Sequence, residues 1–177
     1  MKIISHRAIN EKYPENSLPS IQWAFESGYG IEIDIRINKN GNLVVIHDED
    51  CMRLFNDPRK VIKMNDKECK DIGICSFEDV CVSYIKIGKE ATLALHIKDI
   101  NEFLVVEKTI SILNKYNLKD NCFIFAVDDQ TIPLINKVKE KYPLIKVALH
   151  LPENSHLFNE ENFEKADVIW IDEESGN

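Results

Sequence analysis

Two carboxylates near the front of the chain stand two positions apart on a predicted strand. Glu32 and Asp34 lie in the stretch IEIDIR at 31–36, where they alternate with three isoleucines. Because side chains at i and i+2 of a strand share a face, we expect both carboxylates on one face and the isoleucines on the other. Neighbouring carboxylates repel each other and are costly to bury unless a cation or protons neutralise them. The spacing therefore predicts a divalent cation site, and oxygen ligands favour Mg²⁺ or Ca²⁺, with Mn²⁺ as an alternative.

Two histidines follow apolar runs in the same part of the chain. His6 comes after Ile-Ile-Ser at 3–5, and His47 comes after Leu-Val-Val-Ile at 43–46. Each histidine lies where its predicted strand should leave the core, so we expect the two imidazoles to face one another across the cation. One of them can take a proton while the other gives one.

Each of these pieces also has a simpler interpretation. A Glu-x-Asp pair occurs on the solvated face of half-exposed sheets, and a histidine beside Arg or Asp is common on surfaces and in cores. Here all of the pieces lie within the first 50 residues, and each one is next to an apolar run. A shared site explains this grouping better than chance does.

The elements that would position these residues alternate between strands and helices. A helix is predicted to begin at Ser17 and to end at Gly28, and helical spacing of apolar residues predicts two more at 101–116 and 130–141. Such alternation predicts a parallel α/β architecture. The candidate strands are 2–6, 31–37, 43–47, 92–97, 122–127, 145–150 and 167–172.

The chain resembles the glycerophosphodiester phosphodiesterases of the phospholipase C-like phosphodiesterase superfamily. The resemblance lies in HR at 6–7, PEN at 14–16, AF at 24–25, EID at 32–34, NGNLVVIHD at 40–48, and Arg53. It implies an α/β fold, a TIM-like (β/α) barrel with its site at the carboxyl ends of the strands. About seven candidate strands are fewer than such a barrel has. We therefore expect one barrel domain over residues 1–177 that is short or incomplete and lacks the last strand and helix.

The resemblance also implies roles for individual residues. By this resemblance, His6 and His47 form an acid/base pair, and Arg7 binds the phosphate. Glu32 and Asp34 are two metal ligands, and Glu15 and Asn16 are supporting residues.

A further motif of the family places a metal-binding Glu and a phosphate-binding Lys at i and i+2 of a later strand. Its counterpart here is LALHIK at 93–98, in which Lys98 matches the lysine and His96 replaces the carboxylate. A neutral imidazole can bind a divalent ion but brings no negative charge, so the site moves towards softer ions such as Mn²⁺ or Zn²⁺. Three interpretations stay open: His96 is a substitute ligand, a contact to a different substrate, or the mark of a site that no longer catalyses.

The activity implied by the resemblance is metal-dependent hydrolysis of a small phosphodiester substrate, a glycerophosphodiester, to glycerol phosphate and an alcohol. Two alternatives remain. One is a related phosphodiesterase or lyase that acts on a nucleotide-linked or polysaccharide-linked glycerophosphoryl group. The other is a non-catalytic binding protein that kept the pocket but lost its metal affinity.

Composition narrows the class of protein. The 177 residues are 44% hydrophobic and 29% charged, which suffices for one sizeable core. A net charge of −8 argues against nucleic acid as a partner. No apolar run approaches the ~20 residues of a transmembrane segment, and no signal peptide precedes the first strand, so we expect a cytoplasmic protein. An oligomer is compatible with the sequence.

The chain has five cysteines, and no two of them form a CxxC motif. This spacing favours reduced thiols over a zinc site.

Overall fold

Parallel strands and helices alternate in the computed structural model, which describes residues 3–88, 90–98, 103–151 and 160–171. Residues 2 and 172, at the outer ends of the first and last predicted strands, lie outside these ranges, as do residues 101–102 of a predicted helix. The described strands are β1 (Ile4–Ser5), β2 (Gly30–Ile37), β3 (Leu43–Val45), β4 (Asp50–Cys51), β5 (Asp57–Lys60), β6 (Leu93–Ile97), β7 (Cys122–Phe125), β8 (Ala148–Leu151) and β9 (Val168–Ile171). The described helices are α1 (Leu18–Glu26), α2 (Met52–Phe55), α3 (Asp66–Asp71), α4 (Phe77–Lys86), α5 (Phe103–Lys115), α6 (Thr131–Lys141) and α7 (Glu160–Glu164).

Six of the described strands run parallel in chain order. β1, β2, β6 and β7 pair successively, and a parallel bridge between Ile124 and Val147 continues the order to β8, which pairs with β9. A helix lies between each strand and the next along this path. This succession of parallel strands and helices is that of a TIM-like (β/α) barrel.

The predicted strand at 43–47 forms, but its direction differs from that of the other barrel strands. As β3 it pairs antiparallel with the end of β2, with Ile37 opposite Leu43. A tight turn over residues 38–42 joins the two strands and contains Gly41 at a φ of 77°. Such a short connection returns the chain directly, whereas a parallel neighbour needs a crossover of a dozen or more residues. The next two strands, β4 and β5, form a small separate antiparallel pair.

The predicted helix at 17–28 is present as α1. The Ser17 side chain accepts a hydrogen bond from the backbone N–H of Ser20, and Pro19 lies in the first turn. Gly28 follows the helix at a φ of 78°, which a glycine adopts without the strain of a Cβ. Among the described helices the longest, α5, has 13 residues, and none is long and apolar enough to cross a membrane.

The two faces of β2 meet different surroundings. Ile31, Ile33 and Ile35 belong to the large apolar core that packs against the helices. The alternate positions face the barrel interior, because Glu32 is in register with Ala94, a member of a smaller interior cluster. The period-two pattern of the sequence therefore places both carboxylates inside the barrel.

Candidate active site

A buried cluster of two acids and one histidine lies on β2 and near the carboxyl end of β6. Glu32 and Asp34 are each only 1% exposed, and Asp34 is in register with His96 on the neighbouring strand. His96 Nδ1 is 3.2 Å from Asp34 Oδ1 and 3.9 Å from Glu32 Oε1. One potential ligand atom from each of the three residues lies within 4.8 Å of the others. Within the described ranges, no other group of three His, Cys, Asp or Glu residues is so arranged.

Positive charge and hydrogen bonds surround Asp34. Lys98 Nζ is 3.3 Å from Oδ1, Arg7 Nε is 3.6 Å from Oδ2, and Asn16 Nδ2 donates to Oδ2 at 2.8 Å. Burial alone would raise the pKa of Asp34. The hydrogen bond from His96, the charge of Lys98 and the hydrogen bond from Asn16 outweigh burial and hold the pKa well below its usual range. Asp34 is therefore ionised at neutral pH.

Glu32 has the opposite electrostatic balance. Burial and the nearby charge of Asp34 raise the pKa of Glu32 to about 8, although the backbone N–H of Arg7 donates to its Oε2 at 3.0 Å. Burial also lowers the pKa of His96 and of Lys98. Without a cation, Glu32 thus holds a proton at neutral pH.

An unusual backbone turn after β1 brings Arg7 and Asn16 to the cluster. Arg7, Ala8 and Asn16 have φ values of 52°, 51° and 57°, in the left-handed region that residues other than glycine rarely adopt. The backbone N–H of Asn16 donates to the carbonyl of Arg7 at 2.8 Å and closes the loop. Strain of this kind concentrates at functional sites, where surrounding contacts stabilise it.

The two predicted catalytic histidines lie on the exposed side of the cluster. His6 has a side chain that is 64% exposed, and its Nε2 is 3.8 Å from Glu32 Oε2. His47 is partly buried, and its Nδ1 is 2.7 Å from Asp48 Oδ1. Burial lowers the pKa of His96, and an electrostatic interaction with His47 contributes to that lowering. The structure thus brings His6 to Glu32 and His47 near His96, while a face-to-face arrangement of the two rings stays a prediction.

Sequence reasoning named Glu15 as a supporting residue but missed the side-chain contacts that hold this rim together. Glu15 Oε1 accepts from Arg7 Nη1 at 3.3 Å and from Arg53 Nη2 at 2.6 Å. Arg53 Nε also donates to Asp48 Oδ2 at 2.6 Å. Arg53 was part of the family-like pattern and Asp48 directly follows His47, but neither signal indicates that these side chains meet.

The donor set fits a divalent cation. Two carboxylates and an imidazole are ligands that such ions accept, and their close, buried arrangement is unfavourable for like charges in the absence of a counter-charge. Lys98 and Arg7 balance part of the charge on Asp34, whereas burial and the charge of Asp34 raise the pKa of Glu32. A cation beside Glu32 would favour its ionised form.

Comparison with known proteins identifies the family. The model of the glycerophosphoryl diester phosphodiesterase family matches residues 6–152. The chain belongs to this family. A glycerophosphodiester phosphodiesterase of Caldanaerobacter subterraneus subsp. tengcongensis is 30% identical over 161 residues, which are 83% of this chain and 65% of that protein. The chain therefore spans slightly less than two thirds of this relative's length.

Solved structures of glycerophosphodiester phosphodiesterases share the fold. The enzyme of Thermotoga maritima is 25% identical with a TM-score of 0.75, and the match covers 97% of this chain and 74% of that chain. A phosphodiesterase of Oleispira antarctica, solved in complex with the product sn-glycerol-3-phosphate, matches with a TM-score of 0.80 at 19% identity and the same coverage. These similarities confirm the predicted TIM-like barrel fold.

Proposed function

We propose that the protein hydrolyses a small glycerophosphodiester to glycerol phosphate and an alcohol with the help of a divalent cation. The observation that carries this proposal is the buried cluster of Glu32, Asp34 and His96 with Arg7 and Lys98 beside it. Family membership supports the reaction class. The glycerol phosphate bound by the Oleispira antarctica phosphodiesterase supports the substrate class.

Glu32, Asp34 and His96 would hold the cation. A bound divalent ion supplies Lewis acidity, which polarises a phosphate oxygen and lowers the pKa of a hydroxyl or water bound to it. The family implies a divalent ion without fixing which one, and Mg²⁺, Ca²⁺ and Mn²⁺ all suit the two carboxylates. The imidazole of His96 shifts the preference towards Mn²⁺ or Zn²⁺.

Arg7 and Lys98 would bind the substrate phosphate. Both lie within 4 Å of Asp34, at the place where the barrel strands end. Their positive charges can stabilise the negative charge that develops on the phosphate oxygens during attack. The buried environment strengthens this interaction, because less water screens it.

His6 and His47 would transfer the protons. Both lie at the rim rather than within the buried cluster, so a substrate can reach them. One histidine would take the proton of the attacking group, and the other would give a proton to the leaving alcohol oxygen. Asn16 would support the site by fixing the Asp34 carboxylate, and Glu15 by contacting Arg7.

The test is turnover of several glycerophosphodiesters by the wild-type protein and by the His6→Ala and His47→Ala variants. We expect release of glycerol phosphate to fall by ~10²–10⁴-fold in each variant, with unchanged circular dichroism. Mass spectrometry of products formed in ¹⁸O-labelled water separates hydrolysis from a lyase reaction, because a cyclic phosphate carries no label. Full activity in both variants, or a cyclic product, contradicts the proposal.

A further inference from the structure

One arginine connects two loops that carry different parts of the candidate site. Arg53, in the short helix α2, donates from Nε to Asp48 Oδ2 and from Nη2 to Glu15 Oε1, both at 2.6 Å. Glu15 lies between β1 and α1, and Asp48 lies just after β3. We call the set of Glu15, Arg53 and Asp48 the Arg53 bridge.

At one end the bridge reaches His47. The second oxygen of Asp48, Oδ1, is 2.7 Å from His47 Nδ1. An ionised carboxylate can only accept a hydrogen bond, so a neutral His47 must carry its proton on Nδ1 and leave the lone pair on Nε2. Burial is the largest single influence and raises the pKa of Asp48, but the hydrogen bonds from Arg53 and His47 and the charge of Arg53 together hold it below its usual value, so the carboxylate is ionised.

At the other end the bridge reaches Arg7. The same Glu15 oxygen that accepts from Arg53 also accepts from Arg7 Nη1 at 3.3 Å. The Arg7 guanidinium is thereby held between Glu15 and Asp34, whose Oδ2 is 3.6 Å from Arg7 Nε. Without Glu15 in place, Arg7 would be free to turn fully towards Asp34 and away from a substrate.

We propose that Arg53 is a positioning residue: by binding Asp48 and Glu15 together it fixes the tautomer of His47 and the direction of the Arg7 guanidinium. The effect on rate rests on the proposed function, but the tautomer is a property of the protein without substrate. Exposed ion pairs contribute little to stability, and the Arg53 side chain is 47% exposed. The role of the bridge is therefore orientation of the site rather than folding.

The Asp48→Asn variant tests the tautomer directly. Arg53 Nε requires the amide oxygen, so the amide NH₂ of Asn must face His47 Nδ1 and donate to it. The ring proton then moves to Nε2. Long-range ¹H–¹⁵N spectra of the imidazoles, recorded where the rings are neutral and assigned with His47→Gln, report which nitrogen carries the proton. We expect Nδ1–H in the wild type and Nε2–H in the variant, with kcat ~10²–10⁴-fold lower and KM nearly unchanged.

The Arg53→Gln and Arg53→Lys variants test the bridge. Gln leaves Asp48 in place but free to move, so we expect both His47 tautomers in the spectrum, a kcat about tenfold lower and a higher KM from misdirection of Arg7. A lysine presents one ammonium in place of the guanidinium fork, so it should restore one of the two contacts and give intermediate values.

Arg59→Gln is the matched control. Arg59 lies six positions further along, has a side chain 43% exposed, and likewise joins two acids, Asp57 and Glu68, away from the site. We expect the wild-type spectrum and the wild-type rates. If the His47 tautomer is the same in wild type and Asp48→Asn, or if Arg53→Gln leaves both the spectrum and the kinetics unchanged, the positioning role is wrong. If the spectra change as expected while no diester is hydrolysed, the positioning role stands and the proposed function fails.

Discussion

Asp34 and His96 lie opposite each other on two parallel strands, with Asp34 Oδ1 3.2 Å from His96 Nδ1. Glu32 lies two residues before Asp34 on the same face of β2, and Lys98 lies two residues after His96, just beyond the end of β6. Two neighbouring strands therefore bring two acids, one imidazole and one ammonium together. The imidazole adds a donor atom without adding negative charge. The charge balance of the cluster therefore depends on what residue 96 is.

We expect His96→Glu to change the metal preference of the site. A third carboxylate adds one negative charge where the cation would bind, and this should tighten Mg²⁺ or Ca²⁺ binding by at least about tenfold while it weakens the relative preference for Mn²⁺ or Zn²⁺. Calorimetric titration of each ion measures the change. His96→Gln removes the nitrogen donor without adding charge and should weaken binding of every ion. Equal Mg²⁺ affinity in wild type and His96→Glu would show that residue 96 does not contact the ion.

Phe125 should control the orientation of the His96 ring. The two rings stack with their centroids 4.8 Å apart and their planes 20° apart, because the residues are opposite each other in the register of β6 and β7. Phe125→Leu removes the flat surface, and we expect metal affinity to fall about tenfold, as it does when groups behind a ligand are lost. Phe123→Leu is the control, since Phe123 packs in the same interior cluster on β7, but its ring is tilted against those of Phe125 and Trp170. Similar losses in both variants would indicate general loosening of the barrel interior.

The local part of the site could be predicted from the sequence, and the contacts between loops could not. The pairing of Glu32 and Asp34 on one buried face follows from the period of a strand, and the start and end of α1 follow from Ser17 and Gly28. The contact of Arg53 with Glu15 joins residues 38 positions apart and depends on how two irregular loops fold. No periodic pattern encodes such a contact.

The direction of β3 shows a second limit of the sequence. Its apolar residues predict a buried strand equally well for a parallel or an antiparallel neighbour. The five-residue turn over 38–42 decides the direction, since it is too short to hold a crossover helix. His47 and Asp48 consequently follow a strand that returns along β2, and this brings them back over the loop that holds Glu15.

The cysteine thiols should react slowly in the folded protein. All five cysteines are buried, and none of them forms a disulfide. Burial raises the pKa of Cys75, Cys81 and Cys122 to about 12 and that of Cys51 to about 11. Because the thiolate is the reactive form, we expect reaction with a chromogenic disulfide at pH 8 to be at least ~10²-fold slower than in denaturant, where five thiols per chain should react. Rapid reaction of one thiol in the native protein would contradict its burial.

Glu32→Gln should stabilise the metal-free protein at high pH. The pKa of Glu32 is raised by burial and by Asp34 from 4.5 to about 8, so the folded state binds its proton more tightly than the unfolded state does. Stability is therefore lost as pH rises from about 4.5 to about 8, and a neutral glutamine removes that loss while its oxygen can still accept from the Arg7 N–H. With a chelator present, we expect little change in Tm at pH 4.5 and an increase of at least about 3 °C at pH 8.5.

Glu78→Gln is the matched control, because the surroundings of Glu78 lower the pKa of its carboxyl instead of raising it. Hydrogen bonds from Lys115 and Tyr116 lower the pKa of Glu78, which lies on the surface with a side chain 45% exposed. Its replacement should leave Tm unchanged or lower it slightly at pH 8.5, where the carboxylate is the favourable form. In saturating divalent cation, the wild-type protein should have a higher Tm than Glu32→Gln. The ion binds the wild-type carboxylate more tightly than the amide and therefore stabilises the wild-type folded state more. An increase in Tm for Glu32→Gln that is the same at both pH values would show that charge repulsion at the acid pair is not its cause.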